Sequence, residues 1–189
     1  MLRNFFLKYL IACTSLVAGA SESLAQASQA DAEKEMCKRV GCAFDVRVVL
    51  RKTDGTTFDK TYPTLPVVQP NGVSVYAGQT VLFEADEVGD HLSNFRQVAS
   101  VQKPEKTLLA SLTQARDGTM NLVVRNPFKR HIKISMGMMP LDRTDLVTTS
   151  SCPVVAGGSD FEMWPYPIFQ IWLGEMRLFD DLSDVSCSE

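Results

Sequence analysis

Histidine is almost missing from this chain: His91 and His131 are the only two in 189 residues. A histidine-dependent catalytic triad would have to recruit one of them with no supporting motif nearby. The G-x-S-x-G elbow, H-E-x-x-H, the P-loop and G-x-G-x-x-G are all absent. No C-x-x-C occurs, which removes the thioredoxin-like redox motif and the common zinc spacings. Charge of one sign is also scarce in runs. The densest basic stretch, Lys129-Arg130-His131-Ile132-Lys133, is short and reads as a solvated turn and strand face. With no basic stripe to neutralise phosphates, nucleic acid is not an expected partner. After residue 40 no 3.6-residue periodicity persists beyond two helical turns, and no apolar segment is long enough to cross a bilayer as a helix. Neither an enzyme nor a cofactor-binding protein is expected.

What is present begins at the N-terminus. Arg3 and Lys8 precede an apolar segment from Tyr9 to Ala20, and Ala25-Gln26-Ala27 supplies an A-x-A arrangement of small residues. These features define a secretory signal peptide over residues 1–27. Leu10-Ile11-Ala12-Cys13 is the competing pattern, a lipoprotein box that would acylate Cys13, but Lys8 shortens the apolar run before it. Cleavage after Ala27 leaves 162 residues, enough for one domain with a substantial core. It also removes Arg3, Lys8 and Glu22, taking the formal charge from −3 to −4. The expected product is a soluble periplasmic or secreted protein, with a polar segment over residues 28–41 and a single domain over 42–189.

Four cysteines survive cleavage: Cys37, Cys42, Cys152 and Cys187. An even count in an exported chain points to disulfides, with three pairings possible. Proximity favours Cys37 with Cys42, leaving Cys152 with Cys187 to staple the C-terminal tail.

Alternating patterns then run along the chain. Phe44, Val46, Val48 and Leu50 alternate with more polar neighbours, Asp54-Gly55 gives a hairpin turn, and Thr56 to Tyr62 returns. Pro63, Pro66, Pro70 and Asn71-Gly72 read as a loop of about ten residues. Val73 to Asp86, Leu108 to Leu112, Met120 to Val124 and His131 to Met139 supply further strands, with Asp117-Gly118 as a turn. In the last part of the chain Gly157-Gly158-Ser159 reads as a turn and Pro165-Tyr166-Pro167 as a segment at a sheet edge or end. Ile168 to Phe179 carries apolar residues on both faces and reads as a central strand interrupted at Gly174. Seven or eight short strands predict an all-β, antiparallel β-sandwich. The run Tyr-Ala-Gly-Gln-Thr-Val-Leu-Phe from Tyr76 to Phe83 resembles a strand-bend-strand phrase of exported bacterial immunoglobulin-like domains. The resemblance implies an immunoglobulin-like fold and carries no site residues.

The tryptophans read chiefly as core. The candidate binding surface is the aromatic cluster Phe161, Trp164 and Tyr166, since loops carry recognition on a sandwich and rigid aromatics anchor interfaces. Another envelope protein is the expected partner, and a non-catalytic binding or accessory module the expected role. The alternative is periplasmic copper handling through Met136, Met138 and His131, because thioethers and imidazole suit that metal. In a strand, however, Met136 and Met138 share one face while Met139 takes the other, and methionine fills cores well. Glu84, Asp86, Glu87, Asp90 and His91 form an acidic cluster, read as a solvated, charge-protected edge. Asp160 and Glu162 form a carboxylate pair of the kind glycosidases use, ordinary in an acidic chain.

One measurement tests the compartment. Intact mass and thiol titration of the exported protein should show an N-terminus near Ser28 and no free thiol; a reactive thiol or a lipid on Cys13 refutes it.

Overall fold

A computed structural model of the chain describes residues 31–32, 34–184 and 186–187. The expected signal peptide and the Cys13 alternative lie outside the described residues. Residues 34–37 are helical. From Cys37 onward the chain forms one compact unit of antiparallel strands. They are β1 (Gly41–Arg51), β2 (Thr57–Gln69), β3 (Gly72–Tyr76), β4 (Gln79–Val88), β5 (His91–Gln97), β6 (Thr107–Gln114), β7 (Met120–Arg125), β8 (His131–Pro140), β9 (Val147–Thr149), β10 (Ser159–Trp164) and β11 (Ile168–Phe179). The all-β class is as expected. Eleven strands stand among the described residues where seven or eight were expected, because β5 and β9 carry weak alternation and β10 alternates with its apolar Phe161 and Met163 outward.

The ladders meet at β11. One edge of it pairs with β8 from Ile168 to Phe179, and β8 in turn pairs with β9. The opposite edge is shared. Gln170 to Gly174 pair with β3, and Arg177 pairs with His91 of β5. From there one arm runs β3-β2-β1 and the other β5-β4-β6-β7-β10. Strands of the two arms also meet without a ladder, β3 against β6 and β2 against β5. A single apolar cluster collects their inward residues: Val48 and Leu50 of β1, Val73 and Val75 of β3, Phe83 of β4, Leu108 and Leu112 of β6, Met120 and Leu122 of β7, and Ile171 and Leu173 of β11. Each such side chain contributes roughly 1.5–3 kcal/mol on burial.

The turns follow local chemistry. Asp54 Oδ1 accepts from Thr56 N–H (2.9 Å) and from its hydroxyl (2.6 Å), while Gly55 takes a φ of +83°. Asp117 Oδ1 accepts from Thr119 N–H at 2.9 Å beside Gly118 at φ +97°. The expected proline loop is instead part of β2, which runs through Pro63 and Pro66 to Gln69. The ladder to β1 passes from Phe44↔Thr64 to Val46↔Tyr62 and skips the facing positions, Asp45 and Pro63. Pro63 has no N–H to donate, and Asp45 opposite it turns out of the ladder at φ +52°, so the strand tolerates the proline at an unpaired position with the register unchanged on either side.

Two disulfides close the unit in the expected pairing, Cys37–Cys42 with Cα atoms 5.6 Å apart and Cys152–Cys187 with 4.2 Å. The second closes a separation of 35 residues, for which the chain-entropy model gives about 4 kcal/mol. Replacing Cys152 or Cys187 with serine should therefore lower the melting temperature by several degrees. Thermal denaturation checks this, and equal melting temperatures refute the staple.

Candidate functional site

The structure does not bring Phe161, Trp164 and Tyr166 onto one surface. β10 is an edge strand, paired only with β7, and it alternates cleanly. Phe161 and Met163 point outward, each 68% exposed, while Trp164 turns into the core at 8%. Its Nε1 donates to Thr149 Oγ1 at 3.2 Å. Tyr166 is half-buried and its hydroxyl donates to Met138 Sδ at 3.5 Å. That contact engages one of the three copper candidates. Met136 is buried. His131 lies five residues away from it on β8, roughly 16 Å at 3.3 Å per residue, and on the opposite face. Its Nδ1 accepts from Ala156 N–H at 3.1 Å and its ring packs on Phe179. The three do not converge on one ion.

The other tryptophan is the one that faces outward. In β11 Ile171 and Leu173 are buried, and Trp172 between them stands half-buried on the outer face of the sheet. Its cross-strand neighbours are Ser74 on β3 and Gly137 on β8. The indole folds back along its strand and lies over Gly174 and the paired Gly72. A Cβ on Gly72 would come within 2.5 Å of the ring's Cζ2, and one on Gly174 within 2.6 Å of Nε1. Only glycine leaves room for a ring this close to the backbone. Beneath it Ser74 is fully shielded.

Beside the ring, Gly137 opens a gap. A Cβ there would sit 3.7 Å from Trp172 Cβ and from Leu146 Cβ, so the loop after β8 forms a wall one methyl group away from the base of the Trp172 side chain. The result is a cleft of about 470 Å³, within the size range of small-ligand sites. Asn71, Ser135, Thr148 and Thr149 supply polar groups, and Glu175 is the one charged residue lining it. Glu175 sits where the β8–β11 register shifts and has a φ of +41°, the left-handed region that costs a non-glycine residue about 1 kcal/mol or more. The bulge re-aims its side chain, whose Oε2 lies 3.4 Å from Ser135 Oγ.

A second concentration of charge lies between β8, β10 and the Cys152–Cys187 staple. Glu162 Oε1 accepts from Cys152 N–H at 3.0 Å. Lys133 Nζ donates to the carbonyls of Ser151 and, at 3.1 Å, Ser186. Burial holds Lys133 below the usual lysine range, with Arg177 pushing the same way against the carboxylates of Glu162 and Asp160. Asp160 Oδ2 is buried and finds no hydrogen-bond partner among the described residues. Burial first, and then the Glu162 charge, pushes the Asp160 carboxyl from its ordinary 3.8 to about 6. Lys133 and Glu162 are thus tied to the chain's own backbone. They brace the tail.

The remaining charges also find internal partners. Glu84 meets Arg96 at 3.0 Å and Lys103 at 3.5 Å, and Asp86 meets Lys106 at 2.7 Å. Arg96 foremost holds Glu84 below the usual carboxylate range, and Lys106 does the same for Asp86. In the basic stretch Arg130 bridges Asp90 (3.0 Å) and Asp180 (2.9 Å). No group of three or more histidine, cysteine or acidic residues able to hold a metal occurs among the described residues. Compared with protein-family models, curated proteins and solved structures, the chain finds no match in any of the three.

The Asp160 shift fixes a pH dependence. The folded chain binds this proton more tightly than the unfolded one, so ionisation costs stability. The cost is absent below pH 4 or so, grows between about 4 and about 6, and is complete above. Because the group is partly solvated the cost is on the order of 1 kcal/mol. Asp160→Asn should raise the melting temperature by a few degrees near pH 7 and leave it unchanged near pH 4. Paired melting curves across that range check this, and a constant offset refutes it.

Proposed function

We propose that the chain is an exported, non-catalytic binding module of the bacterial envelope, built as an immunoglobulin-like β-sandwich, and that it holds its partner in the cleft around Trp172. The indole carries the reading. A large aromatic ring laid on a glycine shelf, with an open cleft beside it and a strained Glu175 at its rim, contributes less to the core than an inward residue would. The sandwich reading rests on the two arms that leave β11 and share one apolar cluster. Export rests on two disulfides, which persist in oxidising compartments. Among the described residues no helix is long and apolar enough to cross a membrane. The partner is a component of the same envelope.

Two variants test the cleft. Trp172→Ala removes the ring, and Gly137→Val fills the gap beside it with the ring in place. Both should melt within a few degrees of wild type, and both should bind isolated envelopes of the source bacterium about tenfold more weakly in a sedimentation assay. Envelope binding that is unchanged in both variants refutes the cleft as the recognition surface.

A further inference from the structure

We propose that the ligand held beside Trp172 is an uncharged saccharide, an inference that rests on the cleft being the recognition surface. The floor of the cleft is a sheet face whose long strands are paired on both sides, and among the described residues only the three-residue β9 at its margin keeps an edge with no strand beside it. At this point β3 is paired with β2 and β11, β11 with β3 and β8, and β8 with β11 and β9. Main-chain hydrogen bonds of the floor are therefore already engaged, and strand addition, the mode by which extended peptides gain affinity, is confined to the short edge of β9. What the cleft offers instead is one broad π-face and a ring of short polar side chains. The underside of the indole is occupied by Gly72 and Gly174, so the ring presents its opposite face to the cleft. A pyranose has the complementary form: an apolar face of C–H groups that stacks on an aromatic ring, and hydroxyls around its equator.

The polar groups match those hydroxyls. The Asn71 side-chain amide both donates and accepts, as does the Thr148 hydroxyl, while Thr149 Oγ1 already accepts from Trp164 Nε1. The Glu175 carboxylate accepts from hydroxyl donors, and the bulge at Gly174 re-aims it. No cationic side chain lines the cleft, so a phosphate, uronic acid or other anion would meet Glu175 with nothing to balance it. Ligand selectivity thus comes from one carboxylate and one ring.

Titration of the mature protein with chitotriose, cellotriose and maltotriose, followed by calorimetry and tryptophan emission, tests the inference. At least one of the three should bind saturably below about 5 mM, with the affinity falling about tenfold in Trp172→Ala and in Gly137→Val. Glu175→Gln keeps the hydrogen-bonding shape and should weaken binding severalfold. Wild-type binding to isolated envelopes should also survive digestion of those envelopes with proteinase K. If none of the three sugars binds and proteinase K abolishes an envelope interaction that still depends on Trp172, the partner is a protein and the saccharide inference falls while the cleft stands. If envelope binding is indifferent to Trp172 and Gly137, the cleft itself falls, and this inference with it.

Discussion

Everything in this fold is arranged by the fact that β11 has two edges and three claimants. Its backbone must satisfy β8 along one side for its full length, and divide the other between β3 and β5. A straight strand cannot serve two partners that diverge. The register shift after Gly174 is where the handover occurs, and Leu178 N–H then reaches Asp90 O at 2.8 Å. The same bulge supplies the bend, the strained Glu175 and the break in side-chain alternation that leaves Met176 and Leu178 buried. The candidate site is therefore a by-product of the fold's central joint.

Charge follows a similar economy. The cations with the most restricted exposure, Arg130 and Lys106 among them, each meet carboxylates, and Lys133 meets backbone carbonyls. Asn126, fully buried, donates through Nδ2 to the carbonyls of Arg130, Val154 and Val155 and accepts from Phe128 N–H. These groups fasten loops to the sheet ends. Exposed ion pairs of this kind add little to global stability. Their effect is positional.

Much of this was legible in the residues themselves. Asp54-Gly55 and Asp117-Gly118 specified turns because their chemistry is local, and cysteine spacing gave both disulfides. The central strand after Ile168 was readable from its two-sided hydrophobicity. What escaped depended on partners distant in sequence. β5 holds Asn94 at φ +55° and alternates poorly, so only its neighbours β4 and β11 make it a strand. Pro63 and Pro66 read as loop because what accommodates them, the unpaired Asp45 and the register shift between Gly41 and Cys42, lies on another strand. Likewise Trp164 and Trp172 are indistinguishable as letters. The first turns inward because β10 alternates from an exposed Phe161, and the second turns outward because Ile171 and Leu173 claim the core. A signal for the site did exist: glycines at 72, 137 and 174 are too many for strand interiors unless something must lie against the backbone.

The position of β11 at the end of the strand order sets the timing of folding. Hairpins such as β1–β2 and β6–β7 close over short distances, but the joint that unites the arms must wait for residues 168–179. Until then β3, β5 and β8 carry the bare edges that β11 will pair. Unpaired edges are where β proteins associate wrongly, so the interval before residues 168–179 join the sheet is the one most open to edge-to-edge pairing between chains.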